Sequence, residues 1–244
     1  MRRFAGLALG AALLAAAPAR AQVVDGWGWT IITPSIARTD ILGRHLSDLR
    51  QRQGVAEQPT PNTVPEAPPR AARVPVSAFA YTPSIAIRKA SFDAMLARAR
   101  KGDPAAARSL EQLMAQGDLI ERMGPLLAPA RLRTDNLADA YALWWIVMWN
   151  ASQGKSGDPD PVLCTAVRNQ VVALLPGQAK LADADKQRLA EGLLLQALLV
   201  EAAVDQARTP AEKTQVAELV RRTVAPMGMD FSTMTLTPKG FVAR

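Results

Sequence analysis

The stretch Asn136-Leu-Ala-Asp-Ala-Tyr-Ala-Leu-Trp-Trp-Ile-Val-Met-Trp-Asn-Ala-Ser-Gln153 decides how this chain is read. Asp135 or Asn136 is a good N-cap for a long helix, and Gly154 closes it. At about 100° per residue, Leu137, Tyr141, Trp144 and Met148 share one face. Ala142, Leu143 and Ile146 lie opposite, with Trp145 and Trp149 between them. A helix that is apolar nearly all round belongs in a core. The uncharged run Ala140–Ala151 is too short to cross a bilayer, which takes roughly 20 residues. A second apolar stretch, with Leu193, Leu194, Leu195, Leu198, Leu199 and Val200, is its expected packing partner.

Working outward, the rest of the chain after residue 88 also reads as helices. Ser91 is expected to cap a helix carrying Phe92, Met95, Leu96 and Ala99 and ending at Lys101-Gly102. Asp103-Pro104 starts the next, which carries Ala107, Leu110, Leu113 and Met114 and ends at Gly117. A short stretch, 118–127, runs into Pro129. Asp158-Pro-Asp-Pro161 starts a helix that ends before Pro176, and Asp183 begins one over roughly 184–207. Thr209-Pro-Ala-Glu212 is a capping box for a helix to Val224. The Thr-rich tail from Phe231 reads as extended. Aromatic residues make up only 5% of the chain, and its abundant Ala and Leu favour helix over strand. The expected fold is all-α: a bundle of about six or seven helices behind a Pro-rich arm.

The first 21 residues read as a signal peptide. Arg2-Arg3 is followed by an uncharged Ala/Leu/Gly run from Phe4 to Ala17 and by a small-residue cleavage site ending at Ala21. This predicts an exported, periplasmic or secreted protein. The formal net charge is +7, and loss of Arg2, Arg3 and Arg20 leaves +4. No Lys/Arg run with interleaved aromatics stands out, so nucleic acid is not an expected partner. The single cysteine, Cys164, cannot form an internal disulfide, so stability must come from packing. The mature chain divides into an N-terminal arm (22–53), a Pro-rich linker (54–77) with Pro59, Pro61, Pro65, Pro68, Pro69 and Pro75, and a helical domain (78–244). The linker has almost nothing to bury and should be extended or disordered.

A short repeat brackets the linker. Thr33-Pro-Ser-Ile-Ala37 recurs as Thr82-Pro-Ser-Ile-Ala86, followed by Arg38 and Arg88 respectively. Thr-Pro-Ser is good helix-starting chemistry, which accounts for the pattern by itself. The sharper reading is that the two copies occupy equivalent sites, one mimicking the other or swapping for it between chains. The segment Tyr81-Thr-Pro-Ser-Ile-Ala, then Lys101-Gly-Asp-Pro, then Asn136-Leu-Ala-Asp-Ala-Tyr-Ala-Leu-Trp-Trp, with Leu236-Thr-Pro-Lys-Gly-Phe-Val near the end, resembles a group of uncharacterised secreted proteobacterial proteins. The resemblance covers about residues 78–244. It implies a helical domain and supplies no catalytic residues.

Little in the chain points to chemistry. His45, the only histidine, precedes the linker. It cannot serve a zinc site with Cys164, and a nucleophilic triad built on it is not expected. Cys164 lies among Val162, Leu163, Ala166 and Val167 and reads as a buried small hydrophobe, with a chain-to-chain cross-link as the alternative. No phosphate-binding loop or dinucleotide fingerprint is present, and no cofactor or metal is expected. Glu111, Glu121, Glu191 and Glu201 are the carboxylates available to a cell-wall hydrolase. Glu111, Glu121 and Glu201 read as surface residues, while Glu191 opens an apolar stretch where its pKa could rise. The most unusual polar pair is Asp139 and Asn150, 11 residues apart on one side of the central helix. With Trp145 and Trp149, and with Arg131 or Arg133 nearby, they form the candidate ligand or partner patch. The leading expectation is a non-enzymatic interaction or structural module of the bacterial envelope. Its arm would dock on the same chain, a second copy or another envelope protein. The competing expectation is a carboxylate-based peptidoglycan hydrolase.

Overall fold

The computed structural model describes residues 74–102, 104–115, 117–225 and 229–244. The arm, His45, most of the linker and the first copy of the repeat lie outside the described residues, as does the expected cap Asp103. Seven helices are present among the described residues: α1 (Ile85–Gly102), α2 (Pro104–Ala115), α3 (Leu119–Leu127), α4 (Leu137–Ala151), α5 (Pro161–Leu174), α6 (Asp183–Gln206) and α7 (Pro210–Val224). A two-stranded antiparallel hairpin, β1 (Met234–Thr237) with β2 (Gly240–Ala243), ends the chain, pairing Leu236 with Phe241. The fold is therefore all-α, as the sequence predicts. No described helix is long and apolar enough to cross a membrane.

Helix α4 is the centre. Every residue from Leu137 to Met148 is buried. It packs most extensively on α6 and then on α5, with α7 and the short 3-10 turn Val76–Phe79 also against it. The side chains of Leu137, Trp144, Met148, Leu193, Leu194 and Phe241 are fully enclosed. A buried indole needs an acceptor, and Trp144 Nε1 donates to Gln196 Oε1 of α6 at 2.8 Å. Trp149 sits at the other end of the helix. Its Nε1 donates to the Met234 carbonyl at 3.4 Å, and its ring meets Phe241 edge-on at 6.2 Å.

Most helix starts follow the cap chemistry. Asp118 Oδ1 accepts from Ile120 N and Glu121 N, and Asp160 Oδ1 accepts from Val162 N and Leu163 N. Thr209 and Glu212 complete their capping box reciprocally. Helix α1 departs from expectation. It starts at Ile85, not after Ser91. Ser84 is the start signal: its Oγ accepts from Ile87 N at 3.4 Å and its carbonyl from Arg88 N at 3.0 Å. The residues from Ile85 to Ala90 include no helix breaker, so the helix runs straight through Ser91.

A second side chain clasps the hairpin at its other strand. Gln170 of α5 brackets Phe241: its Nε2 donates to the Phe241 carbonyl at 2.6 Å, and its Oε1 accepts from Phe241 N at 2.7 Å. Gly240 precedes this clasp with φ +98°, and a Cβ there would overlap the Gln170 amide. Gly240→Ala therefore forces a strained backbone angle and breaks the clasp. It should cost about 1–3 kcal/mol, read as a lowered urea midpoint, with loss of the Trp149–Phe241 contact visible in tryptophan fluorescence.

Candidate functional site

Two buried charge centres stand out. The first lies at the start of α4. Asn136, fully buried, caps the helix: its Oδ1 accepts from Ala138 N at 3.0 Å and Asp139 N at 3.2 Å, and its Nδ2 donates to the Val76 carbonyl at 3.0 Å. This turns Asp139 inward, where it has no solvent exposure. Its Oδ2 accepts from both the backbone N and the Nε of Arg133, at 3.2 and 3.1 Å, and its Oδ1 from Arg168 Nη1 at 3.3 Å. Arg168 Nη1 also donates to the Arg131 carbonyl at 3.1 Å, and Arg131 adopts the left-handed backbone region, φ 59°. A buried carboxylate of this kind requires paired donors, and here two arginines supply them.

The four residues of the expected patch lie on one helix but not at one place. Asp139 and Asn150 are separated by roughly 16 Å along the axis, at 1.5 Å per residue. Trp145 is buried and meets Tyr141 edge-on at 6.2 Å. Trp149 faces the hairpin, and the Asn150 carbonyl accepts from Gln153 N and Lys155 N to end the helix. Of the residues singled out in the sequence, Asp139 and Arg133 are brought together. Arg131 joins them through its carbonyl, and Arg168 completes the group.

The second centre links α1, α3 and α6. Arg88 is 7% exposed and Glu191 1%. Arg88 Nε donates to Glu191 Oε1 at 2.8 Å, Arg88 Nη1 donates to Asp118, and Glu121 Oε1 lies 3.7 Å from Nη1. Gln187 Nε2 also donates to Glu191 Oε1, at 2.9 Å, while Glu191 Oε2 is buried without a hydrogen-bond partner. Burial raises the Glu191 pKa, against the opposing pull of Arg88 and Gln187. At Asp118 burial also works against the charge, but the hydrogen bonds from Arg88 and the helix backbone outweigh it and hold the carboxyl below its ordinary value.

The same face of α6 grips the segment before α1. Asp183, placed inside the first turn with Ala182 at the cap position, accepts from Thr82 N through Oδ2 at 2.9 Å. Gln187 brackets Ser84, accepting from its N–H and donating to its carbonyl, both at 2.9 Å. Lys186 Nζ donates to the Ala78 and Ala80 carbonyls at 2.8 and 3.4 Å. Three polar side chains thus read the main chain of residues 78–84. The signal available in sequence was Asp183, Lys186, Gln187 and Glu191 spaced three and four apart at the head of an apolar helix.

The other chemistry-bearing groups are distributed apart. Glu111 pairs with Arg100 at 2.5 Å on the surface. Cys164 is buried and reduced, and burial, with Asp160 and Asp139 nearby, pushes its thiol up to about 12. That is the inert environment of a structural cysteine. Among the described residues, no group of three or more His, Cys, Asp or Glu side chains is placed to hold a metal ion.

Glu201 is not the plain surface residue its sequence suggests. Burial pushes its carboxyl up to about 7, opposed by the Gly157 N–H that donates to Oε1 at 2.8 Å and reinforced by Asp205 and Asp158. The folded protein keeps this proton at pH values where the unfolded chain has released it. Stability from this group therefore falls as pH rises from 4.5 to about 7. Glu201→Gln should remove that slope and stabilise the protein at pH 8, on the order of 2 kcal/mol relative to its effect at pH 4.5. Urea unfolding of both proteins at the two pH values checks this.

Comparison with known proteins places these features in a family. No curated protein and no solved structure matches the chain. A family model described as "Family of unknown function (DUF6683)" matches residues 5–244, so the match takes in the arm and the linker as well as the helices. The chain belongs to the family of unknown function DUF6683.

Proposed function

We propose that the protein is an exported, non-enzymatic interaction or structural module of the bacterial envelope that works through its N-terminal arm. The observation that carries this reading is the face of α6 that holds an extended segment by its main chain. Recognition of a segment through its main chain is a peptide-binding geometry, and here Phe79 and Tyr81 of the held segment are buried beside it. The strongest buried charges are also paired within the protein: Arg88 with Glu191 and Asp118, and Asp139 with Arg133 and Arg168. They hold segments together and do not stand unpaired before a substrate.

Export is tested directly. The protein recovered from the periplasm or medium should begin at Gln22 by mass. A cell-associated chain that retains Met1–Ala21 overturns the assignment. The arm is tested by deleting residues 22–77. The helical domain should still be exported, but its captured envelope partners or its self-association should be lost. Unchanged partners and oligomeric state overturn the role of the arm.

One observation favours a second reading. A carboxyl that titrates near 7, as at Glu201, suits a general acid, and a glycosidase needs only carboxylates. Release of soluble fragments from purified peptidoglycan, abolished by Glu201→Gln, would establish a cell-wall hydrolase. We expect no release.

A further inference from the structure

The start of α4 gathers three arginines around one carboxylate. Arg131 and Arg133 come from the loop between α3 and α4, and Arg168 from the middle of α5. Arg133 Nε and Arg168 Nη1 approach the two oxygens of Asp139 at 3.1 and 3.3 Å, so two guanidinium groups flank a single buried carboxylate. Arg168 Nη1 also reaches the Arg131 carbonyl at 3.1 Å, so the Arg131 side chain starts beside that guanidinium. Each guanidinium carries more donors than it spends here. Arg133 keeps Nη1 and Nη2, Arg168 keeps Nε and Nη2, and Arg131 keeps its whole guanidinium without a hydrogen-bond partner among the described residues. The Arg168 Nε is enclosed as well as unpartnered. Asp139 balances one of the three charges, and no ion pair joins these arginines to any other described acid. Asp160, on the same helix as Arg168, lies two turns away, roughly 12 Å along the axis, and accepts from the amides of its own first turn.

The backbone at Arg131 argues against an arginine there. It is the one non-glycine residue with positive φ among the described residues, at φ 59° and ψ 32°. It follows the turn Ala128–Ala130, with its N–H bonded to the Ala128 carbonyl and the Leu132 N–H to the Leu127 carbonyl. Glycine fits such a helix end without a Cβ penalty. The chain instead places an exposed arginine there, beside two other guanidinium groups. Glycine would relieve both the backbone and the charge repulsion. We propose that Arg131, Arg133 and Arg168 form a binding site for a phosphate monoester, with Asp139 as the internal post that holds Arg133 and Arg168 in place for it. The charge fits: three arginines less one carboxylate leave an excess of two, and a phosphate monoester carries nearly two negative charges at neutral pH. The chemistry fits too, since guanidinium groups donate to phosphate oxygens in pairs. A carboxylate ligand would neutralise only half of the excess. The monoester's source is a soluble ester or a lipid headgroup. The site makes no use of the arm or of the α6 face that grips residues 78–84, so it stands or falls separately from the function proposed above.

Titration calorimetry of the purified protein with inorganic phosphate in low-salt buffer tests it. The expected result is a single site that phosphate fills at millimolar concentration or below, with acetate at least tenfold weaker. Arg131→Gly removes one guanidinium and leaves both Asp139 pairs intact. It should weaken phosphate binding about tenfold, the worth of one charge-assisted contact, while its urea midpoint holds or rises. Arg131→Gln should give the same loss of binding without a glycine in the loop. No binding of phosphate, equal binding by both variants, or acetate bound as tightly as phosphate overturns the proposal. So does a loss of binding that comes only with a lowered urea midpoint in both variants. Co-sedimentation with phosphatidylcholine vesicles, with and without phosphatidate, separates the two sources. Sedimentation that needs phosphatidate and falls with Arg131→Gly supports the site with a lipid headgroup as its ligand. Phosphate binding without sedimentation supports it with a soluble ester.

Discussion

A fifteen-residue helix without a polar side must be covered all the way round, and the architecture follows from how that cover is assembled around α4. Four of its side chains are aromatic, and burying such groups is worth roughly 1.5–3 kcal/mol each relative to exposure. No single neighbour can cover every side. Helix α6 takes the largest share, α5 and α7 take others, the turn at Val76–Phe79 covers the N-terminal end, and the terminal hairpin closes over Trp149. Polar atoms that α4 turns into this core find partners: the Trp144 indole on Gln196, and Asp139 on two arginines.

Covering a helix with non-helical segments leaves backbone groups to satisfy, and side-chain amides meet much of that demand. Gln187 brackets Ser84, Gln170 brackets Phe241, and Asn136 serves the Val76 carbonyl while capping α4. An amide carries both a donor and an acceptor, so one glutamine can stand in for the facing residue of a neighbouring strand. Each such bond contributes modestly, about 1 kcal/mol, but leaving a buried backbone group without its partner costs more. These three amides thus help to hold the non-helical pieces in register, alongside Asp183, Lys186 and Trp149.

The charge centres follow the same logic. Breaking a buried pair by removing one member is strongly destabilising, because the other is left unpaired. Arg88 ties α1 to α3 and α6, and Asp139 ties the start of α4 to the loop before it and to α5. Glu201 has no cation beside it: its Oε1 accepts from the Gly157 N–H, its second oxygen has no partner, as at Glu191, and burial disfavours its charge.

Most of the helical layout was legible along the chain, because starts, stops and apolar periodicity are local. Asp118, Asp160 and Thr209 cap the helices that their positions announce, and the stretch from Leu137 to Met148 is as buried as its composition requires. Where local signals competed, as with Ser84 and Ser91, the earlier cap prevailed, since nothing between them interrupts a helix. The charge centres were not legible in the same way. Arg88 and Glu191 are 103 residues apart, and Gln170 and Phe241 are 71 apart. The candidate patch residues chosen on one helix are spread along it, from Asp139 in its first turn through Trp145 to Asn150 in its last. The sequence by itself determined that the chain is helical, where most of its helices begin, and that one of them must lie inside. Only the tertiary structure decided which polar groups meet, because a side chain's partner depends on how helices pack, and no local pattern records that.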